Sequence, residues 1–233
     1  MIGYFVFDGK CSKDYGLYIS GSGTFNAPER DVSKIEIPGK NGDLLIDNGR
    51  FKNITGTYPA FIRHKFKEYT KEVREWLLGS KGYLKLFDSY HPEYFRLASF
   101  SGPLDFEARV LNRSGECNIV FDCKPQRFLN EGDVFLVISA GMKLYNPTPF
   151  TARPLIRVYG TDGVLLVGGT VMQISAIDSY VDIDCETQNA YKDSVNCNLN
   201  LSNTFPELPA GETAISYEGN ITSVEIKPRW WTV

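Results

Sequence analysis

Asp182, Asp184 and Glu186 alternate with Val181, Ile183 and Cys185. On a strand that alternation puts the three carboxylates on one face, about 7 Å apart. A calcium site needs oxygens converging from a tight loop with backbone carbonyls, and glycosidase carboxylates flank a groove from different strands. A single acidic row meets neither demand. The residues therefore predict a solvated sheet face, where Asp182 and Asp184 would meet a partner or a saccharide. Trp230 and Trp231 are the second candidate, since an aromatic platform on a β-sandwich can stack on sugar. Neighbours on a strand point to opposite faces, so one Trp is expected in the core and one at the surface.

The remaining reactive residues do not assemble into a catalytic set. His91 and Asp88 lack a nucleophile in a strand-to-helix elbow, and His64 reads as a surface residue. Gly21-Ser22-Gly23 does not complete a nucleotide-binding glycine pattern, because position 26 is Asn and no helical periodicity follows. The five cysteines, Cys11, Cys117, Cys123, Cys185 and Cys197, are odd in number and lack Cys-x-x-Cys spacing. They predict reduced, mostly buried thiols in a protein made in cytoplasm, with no zinc site. No cofactor and no metal is expected, and no enzyme. A net charge of −3 without a Lys/Arg run disfavours binding to a nucleic acid backbone. No secretion signal and no membrane insertion are expected.

The elements that would carry these residues are mostly strands. Apolar content of 42% over 233 residues is enough for a real core and for one or two domains. Val32, Ile35 and Ile37 lead into Pro38-Gly39-Lys40-Asn41-Gly42, then Leu44, Leu45 and Ile46 reach Asp47-Asn48-Gly49, Phe51 and Ile54. Asn41-Gly42 is the pair that a type I′ hairpin turn favours. Together these residues predict a three-stranded meander with two turns. It carries few large apolar side chains and alternates poorly, so it would need another surface to cover it and would offer open backbone groups.

One helix is expected within Pro59–Leu78, with Ile62, Phe66, Tyr69, Val73 and Trp76 on one face and Gly79 as its cap. Strands return from Gly82, including a hairpin across Asn112-Arg113-Ser114-Gly115. Phe128–Asp133 reads as a boundary between two units. Beyond it, short strands recur with turn signals about every 8–12 residues, as in an all-β sandwich. Thr161-Asp162-Gly163 and Glu218-Gly219-Asn220 are among those signals.

The order of several short motifs resembles a known family. Asp14-Tyr15-Gly16-Leu17, Pro28-Glu29-Arg30-Asp31-Val32, Ile37-Pro38-Gly39-Lys40-Asn41-Gly42 and Asp47-Asn48-Gly49 look like the amino-terminal half of the siphophage distal tail (Dit) proteins. Trp76-Leu77-Leu78-Gly79, then Gly82-Tyr83-Leu84, continue the likeness. In the second half it is carried by Ala152 to Gly160, Tyr180 to Glu186, Ala190-Tyr191-Lys192 and Ile221-Thr222 to Pro228-Arg229-Trp230-Trp231. It covers nearly the whole chain.

The resemblance implies a mainly β protein of two domains. Residues 1–133 would be a β-sandwich-like, ring-forming domain with one covering helix and a projecting hairpin belt. Residues 134–233 would be a galectin-like β-sandwich. It implies the short form, without an inserted carbohydrate-binding module. The product would be a ring at the virion tail tip, usually a homo-hexamer, assembled in the bacterial host cytoplasm. The ring would join the tail tube protein to the tail-associated lysin or tail fibre protein, and carry receptor-binding or baseplate proteins. DNA would only pass through its lumen. Residues expected at the subunit interface are Ile37, Pro38, Lys40, Asn41, Gly42, Leu44, Asp47, Asn48 and Gly49. The alternative is a lectin-like module for host cell-wall saccharide.

Overall fold

The computed structural model describes residues 3–21, 26–202 and 204–233. Ser22 and Gly23 of the expected glycine turn lie outside them. The chain divides into two compact units, Met1–Arg127 with Val233, and Phe128–Thr232.

The first unit contains β1 (Phe5–Phe7), β2 (Lys10–Cys11), β3 (Leu17–Ile19), β4 (Arg30–Glu36), β5 (Asp43–Phe51), β6 (Ile54–Ile62), α1 (Phe66–Gly79), β7 (Leu84–Asp88), β8 (Tyr94–Ser99), β9 (Phe106–Val110) and β10 (Ser114–Leu129). Its main sheet runs β2-β1-β7-β8-β10-β6-β3, with β9 also on β10. The central pair β6–β10 is antiparallel over nine registered residues, from Ile54↔Cys123 to Ile62↔Gly115. Ile54, Tyr58, Ala60 and Ile62 point inward on β6, as do Cys117, Ile119, Phe121 and Cys123 on β10. Period-two burial of this kind leaves the opposite faces of both strands to solvent.

Helix α1 closes the inward face with Val73, Trp76 and Leu77, all buried. The Phe5 ring stacks on Trp76 at 5.6 Å, and the indole Nε1 donates to the Phe7 carbonyl. The helix starts seven residues after Pro59, which pairs with Asn118 inside β6. Ile62 is likewise a strand residue, so the expected helical face begins at Phe66 instead. Lys65, at φ 49°, makes the break between strand and helix. Here the two-residue alternation from Ile54 to Ile62 prevails over the helical spacing of Ile62 and Phe66. Gly79 ends the helix inside its last turn, and the extended Ser80 serves as the cap, its N–H donating to the Trp76 carbonyl.

The expected meander is a two-stranded ribbon. Among the described residues β4 and β5 pair only with each other, and β6 leaves them for the main sheet. Asp47-Asn48-Gly49 is not a second turn, because β5 runs straight through it.

In the second unit, β11 (Leu136–Ile138), β12 (Met142–Asn146), β13 (Leu155–Val167), β14 (Thr170–Ile174), β15 (Tyr180–Asp184), β16 (Asn189–Lys192), β17 (Val195–Asn196), β18 (Gly211–Lys227) and β19 (Trp231–Thr232) make up the strands. Two long strands organise it. The first half of β13 pairs with β15 and its second half with β14. β18 follows β13 along its length, taking β12 near its start and β11 near its end.

Thr161-Asp162-Gly163 and Glu218-Gly219-Asn220 are therefore bulges in continuous strands rather than turns. They face each other where the β13–β18 register shifts. The approach needs glycine: a Cβ on Gly160 would lie 2.2 Å from the Asn220 carbonyl oxygen, and one on Gly163 2.3 Å from that of Glu218. The bend folds the two halves of each strand over one core. Ile156, Val158, Val181, Ile183 and Val224 come from one side, and Leu165, Val167, Met172 and Ile215 from the other. The result is a β-sandwich built on two corner strands.

Candidate functional site

The β4–β5 ribbon stands out because it buries almost nothing. Ile35, Ile37, Leu44, Leu45 and Ile46 are 46%, 38%, 49%, 58% and 43% exposed. The cross-strand register is Val32↔Asp47, Ser33↔Ile46, Lys34↔Leu45, Ile35↔Leu44 and Glu36↔Asp43. Directly paired residues share a face. One face therefore carries Ile35, Leu44 and Ile46 with Ser33, continued by Ile37. The other carries Lys34, Glu36, Asp43 and Asp47, with Val32 and Leu45. Pairing thus sorts a stretch that alternates poorly in sequence into one apolar face and one largely charged face.

The ribbon is tied together at its base. Arg30 pairs with Asp47 at 3.3 Å, Arg50 with Asp31 at 2.6 Å and Lys52 with Glu29 at 3.4 Å. The hydrogen bond from Arg50 holds the Asp31 carboxyl below its usual range. Exposed pairs of this kind contribute little stability, but they hold the register. Gly49, at φ 71°, and the bond from its N–H to the Asp47 carboxylate form a bulge in β5. Asp47, Asn48 and Gly49 thus lie at the base, with Asn48 hydrogen-bonded to Ser33.

At the tip, the Lys40 N–H donates to the Ile37 carbonyl at 3.1 Å, and Gly39 has φ 79°. That is a type II turn with Pro38 and Gly39 at its centre. The type I′ turn expected at Asn41-Gly42 is not formed, since only Gly42 of that pair has positive φ. The tip places Ile37, Pro38, Lys40, Asn41, Gly42 and Leu44 together. Ile35 and Ile46, absent from the expected interface, complete the same face. Their signal is the cross-strand register, which the linear pattern does not show.

Asp182 and Asp184 are not on a solvated face. Asp182 is 6% exposed and takes two hydrogen bonds from Arg157, at 2.6 and 2.8 Å. Asp184 is 9% exposed, takes two from Arg229 at 2.7 and 3.1 Å, and also accepts the Glu186 and Thr187 amides. Burial opposes the charge on Asp184, and the Arg229 pair with those amides overcomes it, leaving its carboxyl below the usual range. Arg157 lies over both the Phe135 and Tyr180 rings, at 5.2 and 5.1 Å, which shields the Asp182 pair from water. Two carboxylates committed to bidentate guanidinium pairs hold a sheet together. Glu186 is exposed beside Arg153.

Trp230 is 4% exposed in the core of the second unit. Trp231 is half-buried: its ring stacks on Phe150 at 4.4 Å and its Nε1 donates to the Thr151 carbonyl. The Trp231 N–H and ring face are thereby committed locally. Asp88 caps its own turn through the Tyr90 and His91 amides and accepts the Tyr58 hydroxyl. The cysteines are all free thiols, with Cys117, Cys123 and Cys185 buried. Among the described residues no three His, Cys, Asp or Glu side chains group as metal ligands, and no helix is long and apolar enough to cross a membrane.

Fold and ribbon together define a two-unit, mainly β architecture with one covering helix and an outlying hairpin. The same fold is found in phage proteins of known structure. The crystal structure of the Dit protein (gp 19.1) of phage SPP1 superposes with a TM-score of 0.73 at 13% identity, over 97% of this chain and 98% of that one. A chain of the phage P2 baseplate, in its activated conformation with Ca, gives 0.58 at 9% identity over 97% of both chains. The corresponding baseplate with Sr gives 0.56 at 9% identity. No family model and no curated protein sequence matches the chain.

Proposed function

We propose that this chain is a siphophage distal tail protein of the short Dit form, and that copies of it close into a ring, six to the circle, at the virion tail tip. The observation that carries this reading is the β4–β5 ribbon: an apolar face exposed on a subunit whose fold is shared end to end with a Dit protein. Exposed strand edges and an apolar stripe are what a donated element presents, and a closed ring leaves none of them free.

In this reading residues 1–133 form the ring and residues 134–233 a galectin-like outer domain. One side of the ring meets the tail tube protein and the other the tail-associated lysin or tail fibre. The outer domain carries receptor-binding or baseplate proteins. The related SPP1 protein is described as a paradigm of the hub adsorption apparatus in phages infecting Gram-positive bacteria, and an adsorption hub is the role proposed here. It is non-catalytic, since the acidic residues that hydrolysis would use are held in ion pairs. The net charge of −3 suits a lumen that DNA crosses without sticking.

Light scattering across a concentration series, with micrographs down the assembly axis, tests the reading. A ring of identical copies is expected. A protein that stays monomeric at every concentration, even beside its tail-tube partner, would refute it.

A further inference from the structure

The chain holds two Asn-Gly pairs, Asn41-Gly42 at the tip of the ribbon and Asn48-Gly49 near its base. Both pairs are exposed, and a Cβ on either glycine would meet nothing within 4 Å. Steric access to the peptide nitrogen after each asparagine is therefore the same, and by sequence alone the two pairs share one chemistry.

That chemistry is imide formation. The glycine backbone nitrogen, once it has lost its proton to water, attacks Cγ of the preceding asparagine. No side chain on the glycine shields it. The Cγ–Nδ2 bond breaks, and ammonia leaves with a proton taken from water. Water then opens the imide at either carbonyl, and the nitrogen regains its proton. The product is aspartate, or isoaspartate with the main chain routed through the former side-chain carbonyl. Each event takes up one water and releases one ammonia. Asparagine is a thermolabile residue for this reason.

The fold separates the two pairs. Asn41 and Gly42 lie beyond the last registered pair of the ribbon, Glu36↔Asp43. Among the described residues the Gly42 N–H has no acceptor and the Asn41 amide no partner. Asn48 and Gly49 lie within β5. The Gly49 N–H donates to the Asp47 carboxylate at 2.8 Å, and the Asn48 amide to Ser33 Oγ at 3.4 Å. A carboxylate on that N–H holds the proton that must leave and repels the anion that would form. Pairing of β4 with β5 also resists the main-chain rotation that closes the imide ring.

We infer that Asn41 is a site of spontaneous covalent modification in this chain, and that Asp47 shields Asn48 from the same reaction. The inference does not rest on the ring reading. It changes the ribbon tip all the same. From Glu36 to Asp43 the charged residues are Glu36, Lys40 and Asp43, two carboxylates to one ammonium, and conversion of Asn41 adds a third carboxylate. The isoaspartate product also lengthens the main chain there by a methylene.

The test uses the purified full chain, diluted until light scattering reports single subunits and kept in buffer made with oxygen-18 water. Peptide maps over time should show Asn41 gaining the hydroxyl-for-amino mass difference together with heavy oxygen. The rate should be higher in alkaline than in neutral buffer, because the attacking nitrogen must lose its proton. Asn48 should convert about 10- to 100-fold more slowly, the factor for releasing a hydrogen bond to a charged group. In urea, where neither pair keeps its surroundings, the two rates should converge. Asp47→Ala frees the Gly49 N–H and should bring the Asn48 rate in the native chain up toward that of Asn41.

Equal rates at Asn41 and Asn48 in the native wild type, faster conversion at Asn48, or no conversion at Asn41 would overturn the inference. An Asn48 rate unmoved by Asp47→Ala would overturn the shielding assigned to Asp47.

Discussion

Replacing Ile35, Leu44 and Ile46 together by threonine removes the apolar face of the ribbon while keeping residues that favour strands. These side chains are 46%, 49% and 43% exposed in the isolated subunit. Full burial of an Ile or Leu side chain is worth about 1.5–3 kcal/mol, so covering the exposed half of each adds roughly 0.7–1.5 kcal/mol. Three such residues amount to about 2–4.5 kcal/mol per contact, or a loss of about 30- to 2,000-fold in association. Folding, by contrast, has little to lose. Exposed positions typically change stability by less than about 0.5 kcal/mol each, a shift of a few degrees in Tm at most. Light scattering reports assembly and a thermal melt reports folding on the same sample. The expected outcome is a folded subunit that no longer assembles. Assembly unchanged in the triple variant would show that the face is not buried between copies. A fall of ten degrees or more in Tm would show that the ribbon packs on its own subunit, against the exposure described above.

The ion pairs of the second unit give further tests. Asp184→Ala leaves Arg229 and the Glu186 and Thr187 amides without their acceptor, and should cost about 2–4 kcal/mol in a denaturant titration of the second unit. The same residue sets an acid limit. Its folded-state carboxyl lies below the unfolded value near 3.8, so its stabilisation is complete above about pH 4 and is lost as pH falls through the lower folded value. Asp184→Asn should flatten that part of the stability profile. Burial pushes the thiols of Cys117 and Cys185 up to about 12 and that of Cys123 to about 11. A thiol reagent at pH 8 should therefore label Cys11 and Cys197 in the native protein and the other three only after unfolding. Trp230→Ala should lose about 3–5 kcal/mol as a core truncation, and Trp231→Ala, at a half-buried stack, distinctly less.

Local pattern carried a good part of this architecture. The hairpin joining β9 to β10 and the inward face of α1 from Val73 to Trp76 follow from turn chemistry and helical spacing, although the connection is residues 111–113 and the expected turn residues Ser114 and Gly115 already belong to β10. These act over a few residues and are written in neighbouring letters. Errors arose where two local patterns competed or where partners are distant. Pro59 and Ile62 satisfy a helical spacing, yet the long pairing with β10 makes them strand. The glycine signals at Thr161-Asp162-Gly163 and Glu218-Gly219-Asn220 mark bends that a facing strand shapes, and neither shows its partner in isolation.

The site divides in the same way. The amino-acid order by itself determined that a weakly covered hairpin turns within Pro38–Gly42, that five thiols form no metal or redox motif, and that one of two adjacent tryptophans enters a core; it put the turn at Asn41-Gly42, and the structure puts it at Pro38-Gly39. Only the tertiary structure decided that Asp182 and Asp184 are buried, because their guanidiniums arrive from residues 25 and 45 positions away. Only the pairing of β4 with β5 decided that Ile35, Leu44 and Ile46 share a face. Side-chain type is set residue by residue, but which side chains meet depends on register and on strand order, and those are properties of the whole fold.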